Sequence, residues 1–205
     1  KLKKASLENH HQALHKLKKF LNLDELPNRI EVYDNSHTFG NDSVGVMIVV
    51  DQEGLSPKNY RKYNIRYNTA ADDHTRIDDY YMIKEVLNRR IKKINKKEDA
   101  VIPDVIIIDG GRGQFNVVEN ILKENNLETI SLMSVSKGKE RNSGREIIHT
   151  PDENINLRVN DPLLFFIQRI RDEAHRFAIT AHRSRRGKKS VHSIFDDLPG
   201  IGPKR

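Results

Sequence analysis

The sequence predicts an α/β fold: a mixed sheet, made of a three-stranded antiparallel meander plus parallel strands, flanked by helices. Three observations predict it. The run Val105, Ile106, Ile107, Ile108 is β-branched without alternation, the pattern of a strand covered on both faces. A helical pattern over residues 114–125 and a strand pattern over 130–135 follow it. That β-α-β unit implies parallel strands joined by a right-handed crossover. Earlier in the chain, strand candidates at residues 29–36, 43–51 and 60–65 are joined by short links rich in Gly, Asn, Asp and Pro, as in a meander.

The other elements fit around this frame. Residues 4–23 place Leu7, Leu14, Leu17 and Leu21 at helical spacing among lysines and histidines. His11 and His15 stand four apart, a zinc-compatible spacing, but among so many lysines His10, His11 and His15 read as a solvated basic face. Ile77, Tyr80, Ile83, Leu87, Ile91 and Ile94 recur every three or four positions, predicting a long helix over 74–97. Residues 136–145 read as a polar, basic surface loop, followed by short strand-like pieces at 145–149 and 156–159. Asp161-Pro162 supplies an N-cap and a first-turn proline to a helix whose apolar stripe is Leu163, Ile167, Ile170, Ala174, Phe177 and Ala181. Gln168, Arg171, Asp172 and His175 fall on an adjacent stripe at the edge of the buried face. The order β-β-β-α-β-α-β with a C-terminal helix is that of the ribonuclease H fold, in which the first strand lies beside the fourth. The expected organisation is a lead-in helix over 1–27, the main domain over 28–189, and a linker with the start of another motif over 190–205.

Composition narrows the functions. Thirty-six Lys and Arg against 29 Asp and Glu give a net charge of +7, which favours a polyanionic partner. With no cysteine there is neither a disulfide nor a thiolate metal site, and a reducing cytoplasm is the simplest home. No apolar run approaches a membrane span, so no membrane partner is expected. A chain that begins at Lys1 and stops at Arg205 inside an unfinished motif reads as a fragment.

Asp109 ends the central strand, at the sheet edge where ligands collect in open α/β folds. It could equally cap the next helix. A partner changes that balance: Asp34 ends the first strand at the matching place. Two carboxylates that close would repel unless a cation or proton intervened, and their hard oxygens suit magnesium or manganese. His175, on the inner edge of the last helix, could add a nitrogen ligand.

Five motifs occur in order: Glu31 to His37, Tyr63 to Ile65, Pro103 to Gln114, Ser136 to Gly138, and Arg171 to Ala178. Together they resemble the C-terminal half of UvrC, the nuclease subunit of the bacterial UvrABC excinuclease. The resemblance implies a metal-dependent endonuclease of DNA repair that cuts 5′ of a lesion, with Asp34, Asp109 and His175 as catalytic triad and metal ligands. Two carboxylates and one histidine favour a single magnesium or manganese ion over a two-metal clamp, with a second ion able to arrive with DNA. The resemblance implies damaged double-stranded DNA as substrate, and UvrB as partner in a UvrA-dependent pathway in the bacterial cytoplasm. It also implies that the segment docking on UvrB and the 3′-cutting nuclease are not in this sequence. Residues 198–205 are similar to the first hairpin of the family's helix-hairpin-helix module. His175 is either a ligand or a general base for water.

Other residues carry two readings. Lys137 and Arg141 sit in a basic loop that either contacts DNA phosphates or is merely solvated. Arg183, Arg185 and Arg186 form a charge run suited to backbone contacts, or to a solvated linker. Asp79 suits a helix start, while the resemblance puts an acid near the site at about this position. Ser36 and His37 are adjacent on a strand and so face apart, which excludes a nucleophile-base pair. The glycines after Asp109 lack the Gly-Lys-Ser/Thr ending of a nucleotide-binding loop. The competing functions are a non-catalytic DNA-binding scaffold and another Asp-Asp-His nuclease of the same fold.

Overall fold

Residues 2–36, 43–65, 79–137 and 146–190 are described by the computed structural model. The chain runs α1 (Leu2–Phe20), β1 (Ile30–Ser36), β2 (Ser43–Asp51), β3 (Gly54–Leu55), β4 (Arg61–Ile65), α2 (Asp79–Asn95), β5 (Val105–Asp109), α3 (Arg112–Glu124), β6 (Ser131–Lys137), β7 (Glu146–His149), β8 (Asn154–Asn156) and α4 (Pro162–Ser190). These strands form one sheet in the order β3-β2-β1-β5-β6-β7-β8, with β4 also paired to β2. Pairs β1–β5 and β5–β6 are parallel and the rest antiparallel, the mixed sheet expected from the sequence.

Alternation along the strands decides which helices each face receives. Ile30, Val32, Val105, Ile107, Met133 and Val135 pack against α1 and α4. Tyr33, Met47, Ile106 and Ile108 pack against α2 and α3. Both faces are therefore buried, as the unbroken run at 105–108 requires. The register is fixed at the strand starts, where Asp104 Oδ2 accepts from the backbone N–H groups of Asn28 (2.7 Å) and Arg29 (2.8 Å). Tyr33 then pairs with Ile108, so Asp34 and Asp109 follow side by side at the strand ends.

Several elements differ from expectation. The stretch expected as a lead-in helix drives Ala13, Leu14 and Leu17 into the core, where each fully buried leucine contributes about 1.5–3 kcal/mol. Leu7 lies outside that stripe and is exposed. His10 is not on a solvated face: it is buried, its Nε2 lies 2.8 Å from Asp51 O, and burial lowers its pKa. His11 and His15 are exposed, as expected. A two-residue β3 adds to the meander, and β8 falls at Asn154–Asn156 rather than 156–159. Where the helix α2 was expected from residue 74, residues 74–78 lie outside the described ones. The predicted start of α4 is observed, with Leu163 N–H donating to Asp161 Oδ1 at 2.9 Å. Among the described residues no helix is long and apolar enough to cross a membrane.

Gly45 is required by close approach. It pairs with Asn35, one residue past Asp34, and a Cβ there would stand 2.4 Å from Val86 Cγ2 and 3.0 Å from Asn35 Oδ1. Gly45→Ala is expected to cost about 1–3 kcal/mol through overpacking between β2 and α2. Urea denaturation of the variant checks this.

Candidate active site

The helix α4 crosses the strand ends in succession, and each turn meets a different strand. Gln168 donates from Nε2 to Glu146 Oε1 of β7 (2.9 Å), Arg171 to Asp109 of β5, and His175 Nδ1 lies 3.2 Å from Asp34 Oδ2 of β1. The spacing 168, 171, 175 is the helical repeat, so one flank of α4 faces an open cleft of about 770 Å³. Asp34, Asp109 and His175, chosen from sequence, all line it, and Lys137 stands on its rim.

The electrostatics follow from burial. Asp34 is pushed up from 3.8 to about 6, first by desolvation and then by repulsion from Asp109; hydrogen bonding to His175 opposes both. Asp109 is held by Arg171, whose Nε (3.0 Å) and Nη2 (2.6 Å) both donate to Oδ1. Arg171 Nη1 lies 3.9 Å from Glu146 Oε1, and both side chains are nearly buried. The imidazole of His175 is 62% exposed, open to whatever enters the cleft.

Asp109 does not cap α3. The N-cap is Gly111, and the Gln114 side chain folds back to accept its backbone N–H through Oε1 at 3.0 Å. That fold-back crowds Gly110, where a Cβ would overlap Gln114 Oε1 at 1.6 Å. Gly111, by contrast, has ordinary extended backbone (φ −89°, ψ −175°) and open space where a Cβ would go. Asp109 is thereby left for the cleft.

The chemistry of the donors suits a hard divalent cation: two carboxylates on neighbouring strands, unneutralised enough to raise Asp34, with an imidazole beside them. As the side chains stand, with Arg171 on Asp109 and His175 on Asp34, no group of three or more His, Asp or Glu is arranged to hold a metal among the described residues.

Of the remaining candidates, Asp79 has a described side chain and the others do not. Asp79 opens α2, is exposed, and does not line the cleft. Arg183, Arg185 and Arg186 lie in the last turns of α4. His37, Arg141 and the hairpin at 198–205 lie outside the described residues. Sequence reasoning missed Glu146, for which no local signal exists. Arg171 lay on the predicted stripe without an assigned role.

Comparison with known proteins gives the family. The model of the "UvrC RNAse H endonuclease domain" family matches residues 18–179. The chain belongs to that family. It is 47% identical over 188 residues, 89% of its length, to the UvrABC system protein C of Paramagnetospirillum magneticum. It is 43% identical over 199 residues, 95% of its length, to that of Zymomonas mobilis. The chain spans only 30% and 29% of these curated relatives, so it corresponds to one part of a UvrC. Among solved structures, the catalytic domain of human endonuclease V overlaps 65% of this chain and 59% of its own at a TM-score of 0.42 and 12% identity, a loose likeness.

Proposed function

We propose that this domain is a metal-dependent DNA endonuclease that makes the 5′ incision at damaged DNA in bacterial nucleotide excision repair. The observation that carries the reading is Asp34 and Asp109 abreast on parallel strands, with His175 Nδ1 3.2 Å from Asp34, in an open cleft. Asp34, Asp109 and His175 would hold one magnesium or manganese ion. Such an ion supplies charge neutralisation to an anionic phosphodiester and activates water for attack.

The side chains provide the rest. β1 and β5 fix the two carboxylates on rigid strands, so the reacting phosphate is oriented against them. Asp34 holds His175 through Nδ1, which leaves Nε2 as the nitrogen for a ligand or for the proton of the attacking water. The cleft is open, as a backbone passing through it requires. Lys137 on the rim is proposed to pair with a phosphate, and Arg141, Arg183, Arg185 and Arg186 to contact the backbone further out. Asp79 is proposed as a supporting acid. Lesion-bearing duplex is the proposed substrate, UvrB the partner in a UvrA-dependent pathway, and the bacterial cytoplasm the compartment.

The test is incision of a lesion-containing duplex in the presence of UvrA and UvrB, by the intact repair protein carrying Asp109→Asn or His175→Ala. Loss of about 4 kcal/mol of transition-state stabilisation, roughly a thousandfold in rate, is expected for Asp109→Asn. Circular dichroism should show the fold retained. Full incision by either variant removes that residue from the site, and incision by both leaves the scaffold reading in place. Saturable Mn2+ binding that Asp109→Asn abolishes would separately support the metal.

A further inference from the structure

A buried guanidinium stands between two acids on the wall of this cleft, and its placement has a consequence for how many cations the site takes. Arg171 is only 10% exposed at the side chain. Both its bonds to Asp109 fall on one oxygen, Oδ1, so it leaves Oδ2 to other partners. Its Nη1 leans on Glu146, at 3.9 Å, and Glu146 is itself 8% exposed and held by Gln168. On the far side of Asp109 stand Asp34 and His175. The cleft thus has two carboxylate pairs that share Asp109: Asp34 with Asp109, which among the described residues has no Lys or Arg side chain between them, and Asp109 with Glu146, which has Arg171.

Three carboxylates on one wall are the usual equipment of a two-metal phosphodiesterase, in which the ions stand about 3.5–4 Å apart. We propose that Arg171 is a positioning residue that takes the second cation's place between Asp109 and Glu146, so that the cleft binds one divalent ion, on the Asp34 side. The inference rests on the reading of Asp34 and Asp109 as metal ligands. It adds that Glu146 is not one. A guanidinium is suited to the role because it cannot lose its proton, and its planar fork reaches two carboxylates at once. It also cannot be exchanged or chelated away, so one half of the site is permanently neutralised.

The test counts Mn2+ bound to the chain in the absence of DNA, by calorimetry and by electron paramagnetic resonance. The unaltered chain is expected to bind one ion. Arg171→Gln is expected to bind two, with the exchange-coupled spectrum of a close pair, and Arg171→Lys, which keeps a cation, to bind one. Adding Glu146→Gln to Arg171→Gln should return the count to one. Glu146→Gln alone is a mild, isosteric change that stands in should Arg171→Gln fail to fold: it is expected to leave both the count and the affinity within about threefold of the parent. Two ions in the parent overturn the proposal, as does one ion in a folded Arg171→Gln. Loss of Mn2+ binding in Glu146→Gln overturns it as well, because Glu146 would then be a ligand. No Mn2+ binding by the parent would overturn the metal reading itself, a failure distinct from these.

Discussion

Asp34→Asn is expected to abolish incision and, in the same protein freed of divalent ions, to raise its stability. The folded chain holds Asp34 at about 6, above its ordinary value of 3.8, because the carboxyl is buried and faces Asp109. Between those two pH values the native state binds a proton that the unfolded chain has released. Stability of the metal-free protein therefore falls as pH rises from about 4 to about 6, then levels off. The shift corresponds to roughly 2–3 kcal/mol of destabilisation at neutral pH. Asparagine is neutral at every pH and keeps the shape, so the variant escapes that loss. Urea melts in chelator should show it roughly 2 kcal/mol more stable than the parent at pH 8, with the difference vanishing below pH 4. Incision should fall about a thousandfold with the loss of one charged ligand. A variant that is less stable than the parent at pH 8, or that cuts at the parent's rate, contradicts the account. On the proposed metal reading, the repulsion that makes this acid pair unfavourable also favours an incoming cation.

What the sequence revealed, and what it hid, follows from the range of the interactions. Asp109 was legible because an unbroken apolar run and two glycines mark a buried strand's end within a dozen residues. Asp34 was legible because the element order sets its strand beside that one. The α4 stripe from Leu163 to Ala181 and the flank carrying Gln168, Arg171 and His175 could be read because helical periodicity is local. Glu146 could not be, since its place in the cleft depends on β7 pairing antiparallel to β6, which no neighbouring residue signals. His10 reads as one more basic residue on a helix, but it is buried by Asp51, 41 residues away, and by the ring of Phe166. Two glycines after an acid suggest two conformational needs. Neither has a positive φ: Gly111 has open space beside it, and Gly110 is crowded only by the movable end of the Gln114 side chain.

The largest loss of stability is expected from a residue that never touches the cleft. Arg90→Leu should cost about 3–5 kcal/mol, the penalty for stranding a buried charge. Glu31 is fully buried on β1 and alternates with Asp34: it faces α2 while Asp34 faces α4. Its carboxylate accepts from Arg90 Nη2 (2.8 Å), Arg29 Nε (2.8 Å) and the Tyr33 hydroxyl (2.6 Å). Arg90 further donates to the carbonyls of Asp99 (2.7 Å) and Val101 (2.6 Å), in the link between α2 and β5. One side chain therefore ties the strand of Asp34, the helix beneath it and the approach to the strand of Asp109. Leucine fills part of the volume but leaves Glu31 with only Arg29 and Tyr33, and leaves two carbonyls without their donor. Glu31→Gln is the informative comparison, because it keeps a hydrogen-bonding group of the same size and removes only the charge. If Arg90→Leu and Glu31→Gln each destabilise strongly and their combination costs less than the sum, the pair is coupled as described. Denaturant midpoints for the two single variants and the double variant decide it, and additive losses, or a loss under about 1 kcal/mol for Arg90→Leu, would show that the network does not hold the strands of Asp34 and Asp109 in register.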